Sequence, residues 1–192
     1  MREKIKMTGA GLRSDTLSKY FLLTMLLSFI GWAFETVYVY FLFGRYTDRG
    51  FMTMPFCPIY GCSMMAAYFL LGTPSEGRGI LKDMHSPFIR GVLYFVFAFL
   101  IPSAAELIVG AFFDGLFGVR LWSYSGEPYN IRGYVCLRVS LIWAVLLFLF
   151  MRFLFLPLKK LVFKIPSRIA TFAAALLLVA VVWDVTANFL KI

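Results

Sequence analysis

Five apolar runs organise this chain, over residues 20–43, 56–72, 90–113, 134–156 and 168–190, with its polar residues collected between them. Each run can cross a hydrocarbon core of about 30 Å as a helix, the backbone bonded within its own segment. The second is short and begins among Pro55 and Pro58, which predicts a tilted or partly re-entrant helix whose first turn is set by proline. The pattern as a whole predicts an all-α integral membrane protein, a bundle of about five transmembrane helices. Loop 114–133, between the third and fourth runs, carries Trp122, Ser123, Tyr124, Ser125, Gly126, Pro128, Tyr129 and Asn130. It is longer than joining two helices requires. Its aromatics suit an interfacial belt or a lid, and the consecutive turn formers favour an ordered cap.

Composition agrees: 61% hydrophobic residues, 15% charged and a mean hydropathy of +0.81 are more apolar surface than a soluble fold can hide. A basic segment, 1–19, therefore precedes one transmembrane domain, 20–192. The first run outlasts a signal-peptide core and has no small-x-small cleavage site after it, so it reads as an uncleaved span. The net charge of +9 lies in short segments flanking apolar runs, which fits topology and anionic lipid and argues against nucleic acid. With five crossings, the segments on the N-terminal side hold 12 Lys/Arg and those opposite hold 5. This predicts a cytoplasmic N-terminus and a C-terminus outside. Stretch 159–168, with Lys159, Lys160, Lys164 and Arg168 among apolar residues, suits anionic headgroups or a docking cytoplasmic partner.

Charge inside a span costs roughly 3 kcal/mol at a helix centre, so it normally faces a partner or a wet cavity. Under the predicted topology Glu35, Glu106, Arg138 and Asp184 all fall in the outer half of the bilayer. Ser28, Trp32, Glu35 and Tyr38 form one helical stripe, Ser103, Glu106 and Gly110 another, and Asp184 and Asn188 are one turn apart. Three acids face one arginine, and Arg49 or Arg120, a proton or a cationic ligand would balance them. An ion-pair network joining the helices and a binding cavity are both open readings.

Catalytic and cofactor signatures are absent. No Walker-type loop, dinucleotide fingerprint, G-x-S-x-G elbow or H-E-x-x-H occurs, so any use of ATP needs a separate ATPase subunit. Cys57, Cys62 and Cys136 lack metal-site spacing, and the single histidine, His85, lies in a polar loop. No metal or cofactor is expected. A disulfide between Cys57 and Cys136 is conceivable, with two unpaired apolar cysteines the simpler reading.

Two stretches resemble the putative ABC-transporter type IV (CmpB-type) permease family of bacterial membrane proteins. One is Asp48-Arg49-Gly50-Phe51 through Pro55-Phe56-Cys57-Pro58-Ile59-Tyr60-Gly61, preceded by Gly31-Trp32 and Glu35. The other is Leu116-Phe117-Gly118-Val119-Arg120-Leu121-Trp122-Ser123-Tyr124-Ser125, continuing to Pro128-Tyr129-Asn130, Gly133, Cys136-Leu137-Arg138, Ser140 and Trp143. The likeness covers about 20–155 and leaves the last span outside. It implies a permease of the bacterial cytoplasmic membrane, and it marks Glu35, Arg49, Tyr60, Glu106, Trp122, Tyr124, Asn130 and Arg138 as binding-site candidates. The chain is thus expected to be a transporter permease subunit, possible as a homo-oligomer. The alternative is an envelope enzyme, binding protein or scaffold acting on an extracellular or lipid-linked molecule.

Overall fold

The computed structural model describes residues 9–44 and 51–191. Among these are six α-helices: α1 (Gly9–Phe43), α2 (Pro58–Leu71), α3 (Pro87–Phe117), α4 (Leu137–Phe153), α5 (Phe155–Phe163) and α6 (Ser167–Phe189). Two short strands, β1 (Asn130–Ile131) and β2 (Val135–Cys136), pair antiparallel just before α4. Three helical stretches are long and apolar enough to cross a membrane: Asp15–Phe41, Pro87–Phe117 and Ser167–Phe189.

The second and fourth runs differ from simple spans. Helix α2 has 14 residues, about 21 Å at 1.5 Å per residue and short of a full core. Pro58 occupies its first turn, as the sequence predicts, where the missing N–H costs nothing. The fourth run is bent by 51° between α4 and α5. Pro157, third in α5, has no N–H for the Phe153 carbonyl, so the ladder fails at the bend. If the bent pair is one crossing, the number of long crossings rises to four.

Helix α2 packs between α1 and α3, α4 lies along α3, and α6 lies along α1. The α1–α2 contact is close because it is built from small residues. A Cβ on Gly61 would sit 2.2 Å from Ser28 Oγ and 2.3 Å from the Thr24 carbonyl, and one on Gly31 would sit 2.5 Å from the Tyr60 side chain. Without a strong hydrophobic drive between helices in lipid, such backbone approach supplies the dispersion contact that joins them. The shared core holds Leu23 and Leu27, Met65, Tyr68 and Leu71, Tyr94 and Ala98, Leu147 and Met151, and Phe155. The outer surfaces of α3 and α6 expose Ile108, Leu116, Phe172, Val179 and Trp183, faces suited to acyl chains rather than water.

Segment 51–57 packs on the bundle as irregular backbone, whose N–H groups find partners in the helices. The Met54 N–H donates to Asp184 Oδ2 at 3.2 Å, and the Cys57 N–H donates to the Ser28 carbonyl at 3.2 Å. Phe51 packs against Phe113 and Phe189 at ring separations of 5.0 and 4.7 Å. Asp184 therefore anchors the segment that leads into α2. Asp184→Leu should destabilise the protein by about 1–3 kcal/mol, because the part-buried Met54 N–H loses its acceptor. Asp184→Asn, which keeps a carbonyl oxygen, should cost less than half of that, and thermal unfolding in detergent compares the two.

At the basic end Lys159 donates to the Tyr68 hydroxyl and lies 4.7 Å from that ring's centre, while Arg78 donates to the same hydroxyl at 3.2 Å. Turn 72–77 is fixed by the Thr73 N–H bond to the Glu76 carbonyl and by the Tyr94 hydroxyl bond to the Gly72 carbonyl. His85 is exposed, as its polar loop implies.

Candidate functional site

The acids on α1 and α3 converge. Glu35 Oε2 accepts the Tyr60 hydroxyl of α2 at 2.7 Å, and Glu106 Oε1 accepts the Tyr124 hydroxyl at 3.2 Å. The two carboxylates lie within electrostatic reach of each other, and the Trp143 indole of α4 stands beside Glu106. Trp143 also packs on the Tyr60 ring, 5.1 Å between centres. Three helices, the start of a fourth and one loop thus supply a single cluster. Glu106 is buried, and its Oε2 has no regular hydrogen-bond partner among the described residues; the same is true of the buried Ser140 Oγ on α4. Unused acceptor and donor capacity in a buried place is costly, and it suits a site that meets a water or a polar ligand.

Tyr124 reaches Glu106 because its loop is held in shape. The Asn130 amide donates to the Glu127 carbonyl at 2.8 Å, its oxygen accepts the Gly133 N–H at 3.0 Å, and the Tyr124 N–H donates to the Gly133 carbonyl at 2.8 Å. The Trp122 indole N–H donates to the Tyr134 carbonyl at 2.8 Å. Gly133 turns the chain at φ 76°, where a Cβ would also strike Ser125 Oγ at 2.5 Å. Asp114 at the end of α3 accepts both the Tyr134 hydroxyl at 2.7 Å and Arg120 Nε at 3.0 Å, stapling the loop to the helix. Burial pushes the Tyr124 hydroxyl pKa up, and the Glu106 charge adds to it, so Tyr124 stays a proton donor to that carboxylate.

Of the eight candidates, Glu35, Tyr60, Glu106 and Tyr124 come together, while Trp122 and Asn130 act by shaping the loop that delivers Tyr124. Arg138 stands apart: it is exposed and pairs with Glu127 at 3.3 Å. Arg120 is taken up by Asp114, so neither arginine neutralises Glu106. Arg49 lies outside the described residues. Asp184, grouped with the acids by sequence, is engaged with segment 51–57 and the α6 C-terminus. Tyr38 is exposed and stacks on Phe34. Trp143 and Ser140 were not among the candidates, yet Cys136, Ser140 and Trp143 follow the four-then-three spacing of one helical stripe. Applied to the fourth run, that spacing finds them.

Cys57, Cys62 and Cys136 form no disulfide, and the described residues contain no group of three or more His, Cys, Asp or Glu arranged to hold a metal ion.

The sequence model of the family described as Putative ABC-transporter type IV matches residues 22–189. The match reaches into α6, beyond the limit near 155 expected from the two motif stretches, so the last helix is part of the family's pattern. No curated protein and no solved structure matches the chain.

Proposed function

The chain belongs to the putative ABC-transporter type IV family, and on that premise we propose that it is the permease subunit of a transporter in the bacterial cytoplasmic membrane. In this reading α2 with segment 51–57 and the bent α4–α5 pair complete five crossings. The excess of Lys/Arg on the N-terminal side puts that side in the cytoplasm and the C-terminus outside. The cluster of Glu35, Tyr60, Glu106 and Tyr124 then lies in the outer half of the membrane, under the loop of residues 118–136. A separate ATPase docks at the basic end, where Lys159, Lys160 and Lys164 gather, since the sequence has no nucleotide loop of its own.

One observation supports the reading: two carboxylates from different helices, each bonded to a tyrosine hydroxyl, with the buried Glu106 Oε2 left without a regular hydrogen-bond partner among the described residues. Such a place receives a polar cargo bearing hydrogen-bond donors, because donors satisfy Glu106 Oε2. The loop that supplies Tyr124 covers the cluster, so cargo entry or release moves Tyr124 off Glu106.

Affinity purification from the native membrane tests the partnership, and uptake into vesicles made from those membranes tests transport. We expect an ATPase to be retained and uptake to depend on ATP. A homogeneous, partner-free preparation from vesicles without uptake overturns the permease assignment and favours an envelope enzyme or scaffold.

A further inference from the structure

Away from the carboxylate cluster, a groove of about 530 Å³ opens between the start of α3 and the end of α4. Arg90 and Glu106 are 16 positions apart on one helix, about 24 Å along its axis. Phe88, Val92, Phe95 and Val96 of α3 form one wall and Phe148 of α4 the other, with Arg90 and Arg152 in the same lining. Phe88, Val92 and Val96 are exposed on a helix long and apolar enough to span a membrane, so the groove faces acyl chains.

The two arginines are pre-positioned. Arg90 Nε donates to the Pro74 carbonyl at 3.2 Å and its Nη2 to the Ser75 carbonyl at 3.0 Å, while Arg152 Nη1 donates to Ser75 Oγ at 2.6 Å. Both guanidinium groups are thereby tethered to one short turn, and each keeps N–H donors unused among the described residues. No described carboxylate lies within 4.0 Å of either. Two planar cations that make no ion pair among the described residues, on an apolar, lipid-facing groove, match a phosphate attached to a hydrocarbon chain, since guanidinium forks bind phosphate oxygens in pairs.

We propose that this groove is a specific site for an anionic phospholipid, with the headgroup phosphate between Arg90 and Arg152 and one acyl chain along Phe88, Val92 and Val96. The tethers to Pro74 and Ser75 remove much of the ordering cost of binding. The site is independent of the cargo cluster and stands whether or not the chain transports anything.

Native mass spectrometry of the full chain in detergent tests it, titrating phosphatidylglycerol, phosphatidylcholine or inorganic phosphate. One phosphatidylglycerol should be retained in preference to phosphatidylcholine, and inorganic phosphate should not displace it. Arg152→Gln keeps a donor for Ser75 but loses the charge, and it should weaken retention about five-fold, the share of one basic residue near a membrane surface. Gly91→Leu offers a second route, because a Cβ there meets nothing within 4 Å and leucine raises helix propensity. It should fold and remove the bound lipid by filling the groove. Equal retention of both lipids, or phosphatidylglycerol binding unchanged by Gly91→Leu, overturns the site. Displacement by inorganic phosphate at matched concentration overturns the lipid assignment and leaves an anion site.

Discussion

Gly61→Leu should abolish the folded protein, and Gly61→Ala should destabilise it by about 1–3 kcal/mol, the range for overpacking a close contact. The Cβ of any substitute meets Ser28 Oγ at 2.2 Å and the Thr24 carbonyl at 2.3 Å. The hydroxyl could rotate away only by giving up its 2.8 Å bond to the Thr24 carbonyl, and the carbonyl is helix backbone with nowhere to go. Separating α1 from α2 would also withdraw Tyr60 from Glu35 and the Ser28 carbonyl from the Cys57 N–H, so the helix contact, the buried segment and the site would fail together. Thermal unfolding in detergent and the yield of monodisperse protein measure the effect. A Gly61→Leu variant with unchanged yield and melting temperature would show that the helices do not approach this closely.

The second large effect belongs to Glu106. If the cluster handles cargo, Glu106→Gln should lower ATP-dependent uptake at least ten-fold, about 1.4 kcal/mol, while changing stability by less than about 1 kcal/mol. The amide oxygen still accepts the Tyr124 hydroxyl, so what changes is the charge offered to cargo. Glu106→Leu should in addition destabilise the protein by about 1–3 kcal/mol, because the buried Tyr124 hydroxyl loses its acceptor. Tyr124→Phe combined with Glu106→Leu should cost less than the sum of the two single changes, since the hydroxyl without a partner is removed as well. Full uptake in Glu106→Gln alongside poor folding in Glu106→Leu would make the carboxylate a helix tie and sink the cargo role.

Much of this architecture follows from local rules. Apolar runs of sufficient length form the long helices, Pro58 starts α2, and Gly118 ends α3 in the left-handed conformation that glycine accepts. Helical spacing grouped Ser28 and Glu35 on one stripe of α1, and both meet α2 or the segment before it. These inferences need only the nearest few residues, because the 3.6-residue period and proline's missing N–H act at that range.

Partner choice is different in kind. Sequence alone grouped Glu35, Glu106, Arg138 and Asp184 by depth, yet the fold sends Asp184 to the Met54 N–H, 130 positions away, and leaves Arg138 to Glu127, 11 away. Depth along a span follows from counting residues, whereas azimuth around the bundle depends on which helices touch. That depends on where small residues such as Gly31 and Gly61 allow close approach, which no single segment encodes. The bend between α4 and α5 is a mixed case: Pro157 marks the place, but only packing of Phe155 and Val162 into the shared core decides that the helix turns there. Hydropathy and proline thus specify the segments of this protein, while the pairing of its buried charges is set by contact between helices, where an unpartnered charge costs several kcal/mol and only the assembled bundle can offer a partner.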